Sequence, residues 1–146
     1  MTLHAEPARP HDLRGALDLL GRSELTEQDV AERWGHYFVV REDDGRVVGV
    51  AGLEIHGEDG LLRSVAVDPD YRGQGIAASL VEAAIERAKR VELRSVYLLT
   101  TSARDYFARH GFADCARDKA PAAIRESWEF RTGCPSTAAF MKRPVA

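Results

Sequence analysis

Between Leu61 and Ala88 the spacing of apolar residues changes from a strand-like run to a helical repeat, and two glycines stand at the join. Leu61 to Val67 is a short apolar run ended by Asp68-Pro69, which reads as a strand. Ile76, Leu80, Val81, Ala84, Ile85 and Ala88 then share one helical face, while Glu82, Glu86, Arg87 and Arg90 fall elsewhere on it. Glu86 and Arg90 are spaced as a favourable pair. A strand, the loop Arg72-Gly73-Gln74-Gly75 and an amphipathic helix in direct succession require an α/β arrangement. They also gather main-chain N–H groups and a helix N-terminus at one point, where an anion is favoured. Gly73 and Gly75 carry no Cβ, so a pyrophosphate can come close to the main chain, and Arg72 adds a permanent charge.

On the N-terminal side, a strand is expected at Thr2–Ala5. A helix follows, capped by Asp12 and carrying Leu13, Ala16, Leu17 and Leu20 on its inner face. A second short helix is expected through Val30 and Trp34, with Thr26 and Asp29 at its start. Tyr37–Arg41 and Val47–Ile55 read as strands joined at Asp44-Gly45, and a turn at Glu58-Asp59-Gly60 leads to the strand Leu61–Val67. Beyond the long helix come a strand at Ser95–Thr101 and a short helix at Ala103–His110 closed by Gly111. A strand at Phe112–Arg117, a helix from Pro121 and a last strand at Thr137–Lys142 complete the reading. The expected order is β-α-α-β-β-β-α-β-α-β-α-β, one domain over residues 1–146.

The formal net charge of -3 argues against nucleic acid as a partner. Two cysteines, Cys115 and Cys134, do not make a disulfide framework and suit a reducing compartment. Met1 to Pro10 lacks the apolar core of a signal peptide, and no stretch reaches the ~18 apolar residues of a membrane span. A cytoplasmic location without membrane contact is therefore expected, and no metal-ligand cluster is apparent.

Gly73 to Ala78 also fits the dinucleotide pattern G-x-G-x-x-A. That pattern needs the first strand of a βαβ unit and an acidic residue about 20 positions on. Here a hairpin precedes it, and the next strand ends in Thr100-Thr101, so the dinucleotide reading is set aside. A plain tight turn before a core helix is the simpler alternative.

Leu62 to Ala78 resembles the acetyl-CoA signature of the GNAT superfamily of N-acetyltransferases, whose core Q/R-x-x-G-x-G/A is met by Arg72, Gly75 and Ala77. Val67-Asp68-Pro69-Asp70-Tyr71 and the later Ala103–Phe112, ending His-Gly-Phe, resemble it too. The resemblance implies a mixed α/β fold: a mostly antiparallel sheet of six to seven strands with splayed central strands, flanked by helices. It implies acetyl-CoA as co-substrate, with main-chain groups of Val65, Ala66 and Val67 along the pantetheine arm. Arg72, Gly73, Gln74, Gly75, Ile76 and Ala77 would hold the pyrophosphate, and Ala103 and Phe107 would pack near the thioester.

The family reaction needs a base for the ammonium, and the likeness places Glu54 there, with His56 and Glu58 in reserve. The leaving thiolate is often protonated by a tyrosine at the position held here by Phe107; Tyr106 is one residue away, about 100° around the helix. A water held by Ser102 or Thr101 is the alternative, and Thr100 fills a slot often held by Asn. The tail resembles acetyltransferases that act on glutamate, and more closely those linked to arsenic resistance. Ser136 matches a carboxylate-holding serine of the glutamate enzymes, while Cys134 stands where they have arginine. Arg63 and Arg125 are the remaining candidate carboxylate anchors.

The expected function is N-acetylation of a small amino-acid-like amine, an arsenical or toxic analogue included, with a homodimer allowed. A protein N-acetyltransferase and a non-catalytic acyl-CoA sensor are the alternatives.

Overall fold

The computed structural model describes residues 3–128, 130–131 and 137–145. Its strands are β1 Glu6–Pro7, β2 Tyr37–Arg41, β3 Val47–His56, β4 Asp59–Val67, β5 Ser95–Thr100, β6 Ala113–Asp114 and β7 Ala139–Pro144. Its α-helices are α1 Leu13–Arg22, α2 Ile76–Arg90, α3 Arg104–Ala108 and α4 Ala122–Arg125. The chain packs as two units, Met1–Glu54 with Arg63–Glu86, and Ile55–Leu62 with Arg87–Ala146.

In the first unit, hydrogen-bonded neighbours run β1-β2-β3-β4, and the β1–β2 and β2–β3 pairs are antiparallel. Alternation along the strands sends one set of side chains to each face. Tyr37, Val39, Val47, Val50 and Ala66 pack with Ala16, Leu19 and Leu20 of α1. Gly49 faces α2: a Cβ there would lie 2.7 Å from Ile76 and 3.1 Å from Leu80, so its absence lets the helix come down on β3. Gly52 lies under the Tyr37 ring, where an added Cβ would meet ring atoms at 2.5–2.8 Å. Gly52→Ala is therefore expected to destabilise the protein by about 1–3 kcal/mol through overpacking. A lower urea midpoint with an unchanged m-value would show this, and an unshifted midpoint would refute it.

In the second unit the order is β4-β5-β7-β6; β4–β5 is parallel and the other two pairs are antiparallel. Leu61, Tyr97, Leu99 and Phe140 pack there with Ala120, Ile124 and Ala138. The mixed, mostly antiparallel sheet agrees with the expected fold class.

Several local expectations are corrected. The first strand lies at Glu6–Pro7, after the expected segment, because its main-chain partners are Phe38 and Val39. Asp12 does not cap α1. It ends a 3-10 turn, Pro10–Asp12, and its buried carboxylate accepts from the Arg9 N–H and from Arg41 Nε at 2.9 Å each. The second helix is a kinked 3-10 segment, Ala31–His36. The turn after β3 is Gly57-Glu58, with Asp59 and Gly60 already in β4. The strand expected at Phe112–Arg117 shrinks to Ala113–Asp114, and the last strand is shifted to Ala139–Pro144.

Candidate active site

The loop joining β4 to α2 is anchored at its root. The Asp68 N–H donates to the Val48 carbonyl at 2.9 Å, and the Asp68 carboxylate accepts from the Asp70 N–H at 3.0 Å. Tyr71 donates its hydroxyl to Glu42 and accepts from Arg46 Nη2 at 2.8 Å. The bond to Glu42 pushes the Tyr71 phenol above its ordinary range. Past Tyr71 the chain opens: Arg72, Gly73, Gln74 and Gly75 are all exposed.

Gly73 and Gly75 have φ of +81° and +76°, and nothing lies within 4 Å of where a Cβ would stand. Backbone conformation, rather than crowding by protein, is what calls for glycine at both positions. Among the described residues, no acceptor is found for the N–H groups of Gly73, Gln74 and Gly75. They precede Ile76 and Ala77, the first residues of a 15-residue helix. Exposed, unpaired donors, two glycines and a helix dipole fit a diphosphate bound at this point.

β4 departs from extended backbone geometry at one residue within its span. Ser64 has φ of +58°, a left-handed conformation that a non-glycine residue adopts only where its surroundings hold it. Its hydroxyl is held at 3.1 Å from the Tyr37 hydroxyl and accepts from Arg63 Nε at 3.2 Å. The parallel ladder of β4 with β5 runs from Asp59 to Leu62 and stops there, although β4 continues to Val67. Ala66 turns into the core with α1, and Val65 and Val67 are half-buried.

Glu54 and Arg63, expected as separate candidates, form one buried ion pair. Arg63 Nη1 lies 2.7 Å from Glu54 Oε2, and the side chains are 0% and 2% exposed. Arg63 Nη2 donates to the Gln28 carbonyl at 2.9 Å. With all three guanidinium nitrogens on protein acceptors, Arg63 serves Glu54, the Gln28 carbonyl and the left-handed residue Ser64. This geometry corrects the expectation that it receives a substrate carboxylate.

A second cation, which sequence reasoning missed, stands beside the pair. Arg33 Nε is 3.5 Å from Glu54 Oε2 and 2.6 Å from Asp29 Oδ2. The hydrogen bond to Asp29, joined by the charge of Glu54, holds the Arg33 guanidinium above its ordinary range. The signal available in the sequence was the i,i+4 spacing of Asp29 and Arg33.

In the second unit, Thr100 Oγ1 accepts from the Ala103 N–H at 3.0 Å at the start of α3. Phe107 is buried and packs edge-on against Phe112. Tyr106 is half-buried, packed against Phe107 and His110. Burial pushes its phenol up, the direction that weakens it as an acid. Arg125 is exposed at the end of α4. Cys134 and Ser136 lie outside the described residues.

Residues 5–112 match the model of the Acetyltransferase (GNAT) family. The amino-acid acetyltransferase of Pseudomonas putida (strain GB-1) is 34% identical over 130 residues, covering 82% of this chain and 30% of the relative. That of Vibrio atlanticus (strain LGP32) is 31% identical over 115 residues, covering 77% and 24%. The chain thus spans under a third of the length of these curated relatives.

Rv2747 from Mycobacterium tuberculosis, solved in complex with CoA and NLQ, superposes with a TM-score of 0.85 at 25% identity. That match covers 97% of this chain and 99% of the other. N-acetylglutamate synthase from Neisseria gonorrhoeae, complexed with coenzyme A and N-acetyl-glutamate, gives 0.85 at 17% identity, covering 100% and 36%. At that identity the likeness is one of fold.

Proposed function

This chain belongs to the GNAT acetyltransferase family, and from that premise we propose that it is an acetyl-CoA-dependent N-acetyltransferase acting on the amine of a small amino-acid-like acceptor. The observation that carries the cofactor half is the exposed Gly73–Gly75 loop with its unpaired N–H groups at the head of α2. The acceptor half is supported by the amino-acid acetyltransferases among its relatives. An arsenical or toxic amino-acid analogue falls within this acceptor class. We read residues 1–146 as one acetyltransferase domain, since β3, β4 and α2 each contribute to both packing units. A cytoplasmic location belongs to the same reading, and a homodimer is compatible with it.

Acetyl-CoA supplies the activated acetyl thioester. In this reading the N–H groups from Gly73 to Ala77 hold its diphosphate with Arg72 beside them. Main-chain groups of Val65, Ala66 and Val67 run along the pantetheine arm, and Ala103 and Phe107 pack on it. Glu54 takes the proton of the acceptor ammonium, directly or through one water. Its burial at 2% exposure keeps bulk solvent off the carboxylate. Arg63 holds that carboxylate in one orientation. Tyr106, or a water at Ser102 or Thr101, returns a proton to the thiolate. Arg125 and Ser136 are further candidates for the acceptor carboxylate.

The test is release of free thiol from acetyl-CoA across a panel of amines. Wild-type chain is expected to turn over at least one amino acid or amino-acid analogue. Glu54→Gln is expected to lower kcat by about 10²–10⁴-fold with acetyl-CoA affinity kept, as for loss of a general base. Absence of turnover with every amino acid and analogue would reject the acceptor class. Unchanged kcat in the Glu54 variant would remove Glu54 from the mechanism.

A further inference from the structure

Arg33 uses its guanidinium in an unusual way. Its Nε is committed to Asp29 at 2.6 Å and approaches Glu54 at 3.5 Å. Among the described residues, Nη1 and Nη2 have no hydrogen-bond partner. The side chain is 37% exposed, whereas Arg63 on the other side of Glu54 is 0% exposed. The guanidinium is therefore held by one edge and offers the other to solvent.

The Arg33 backbone lies at the kink of the Ala31–His36 segment, with φ -111° and ψ 18°. Asp29, which tethers it, has φ of +70°. A chain strained at Asp29 and bent at Arg33 brings this half-exposed cation beside a buried carboxylate. Asp29, Glu54, Arg33 and Arg63 together carry two negative and two positive charges, so the cluster is balanced before anything binds.

We infer that the open Nη1/Nη2 edge of Arg33 receives the carboxylate of the acceptor while Glu54 faces its ammonium, so that the enzyme selects zwitterionic amino acids over amines lacking the acid. This rests on the function proposed above and names the substrate feature recognised at that site. The two free nitrogens form the planar fork that matches a carboxylate in two parallel hydrogen bonds. In an α-amino acid the ammonium nitrogen is about 2.5 Å from the carboxylate carbon, by ordinary bond lengths and angles. Glu54 and Arg33 sit side by side at 3.5 Å, so one short zwitterion can address both charges. A ligand carrying both signs adds no net charge to the balanced cluster.

The experiment compares the twenty L-amino acids with their α-amides as acceptors of acetyl from acetyl-CoA, using the full chain. For the best acid, wild type is expected to show kcat/KM about 10- to 100-fold above that of its amide, the range for losing a charge-assisted hydrogen bond. Arg33→Ala is expected to raise KM for the acid by a similar factor and to erase the preference. The KM for acetyl-CoA should stay as it was, and the acid-to-amide ratio of kcat/KM should fall to about one. Arg33→Lys, which keeps the charge without the fork, should recover part of the preference.

A merely structural role for Arg33 would depress acid and amide alike and would move the acetyl-CoA KM, and that result overturns the inference. So does wild type that treats acid and amide equally, or Arg33→Ala that still prefers the acid. In each of these cases transfer to amino acids itself persists, so the proposed function stands. Wild type that acetylates no acid and no amide rejects the proposed function, and the inference with it.

Discussion

Gly75→Val is expected to lower acetyl-CoA affinity by about 10²–10⁴-fold while the protein remains folded. Two costs combine. Gly75 has φ of +76°, and a side chain forced into that region costs roughly 1–2 kcal/mol, more for a β-branched one. The strain relaxes by turning the peptide units on either side of position 75, which carry the unpaired donors. Hydrogen bonds to a charged group contribute about 1.5–3 kcal/mol each, so misaiming two removes about 3–6 kcal/mol of binding.

Space around Gly75 is open on the protein side, so the core has no reason to rearrange. Calorimetry with CoA, beside far-ultraviolet dichroism of the same sample, separates binding from folding. A folded Gly75→Val chain that binds CoA as tightly as wild type would show that the loop is a turn and nothing more.

The second large effect is on stability. Arg63→Leu leaves the Glu54 carboxylate buried without its closest cation, and breaking a buried pair from one side costs about 3–5 kcal/mol. For a domain of this size, each kcal/mol lowers Tm by about 2–4 °C, so the melting temperature should fall by roughly 6–20 °C. The Gln28 carbonyl and the Ser64 hydroxyl lose a donor in the same change.

The double variant Glu54→Leu with Arg63→Leu removes both charges. It should recover much of the loss, because the penalty belongs to a buried charge that has lost its closest partner, with Arg33 3.5 Å away, and not to the missing attraction. Thermal melts of the single and double variants decide the matter. A single variant within about 1 kcal/mol of wild type would mean that the carboxylate finds other support.

The Glu54–Arg63 pair shows where sequence reading ran out. Each residue suggests a separate role in the sequence, a base and a carboxylate anchor, and nothing local couples the two. The turn expected at Glu58-Asp59-Gly60 is three residues long; the observed turn is the two residues Gly57-Glu58, with Gly57 at φ +66°. A glycine at the first of two central positions is a favoured hairpin turn. Changing the turn by one residue flips every side chain of one strand to the opposite face. Across a two-residue turn, positions separated by an odd number share a face, and 54 and 63 do so. Across a three-residue turn they would point apart. The pair was thus legible only through the register.

Asp12 is a second case. It precedes a helical run as a capping residue would, yet its carboxylate is taken by Arg41, 29 positions away. A charge-assisted bond between a buried acid and a guanidinium outweighs a cap, which contributes about 1 kcal/mol. Ser64 is a third: nothing in its local sequence announces a left-handed residue within a strand, because its hydroxyl is held by Tyr37 and Arg63.

What the linear order determined is whatever depends on near neighbours: the helix at 76–90, the hairpin strands, and the exposed loop with its two glycines before that helix. These follow from side-chain period, from the missing Cβ of glycine and from the unpaired donors of any helix start, all of which act within a few residues. What the tertiary structure alone decided is the company each charge keeps. The pairing of Glu54 with Arg63, the left-handed backbone at Ser64 and the half-exposed Arg33 beside them depend on register and on contacts between distant segments. The energy of a buried charge is set by the groups that surround it in space, and those are not its neighbours along the chain.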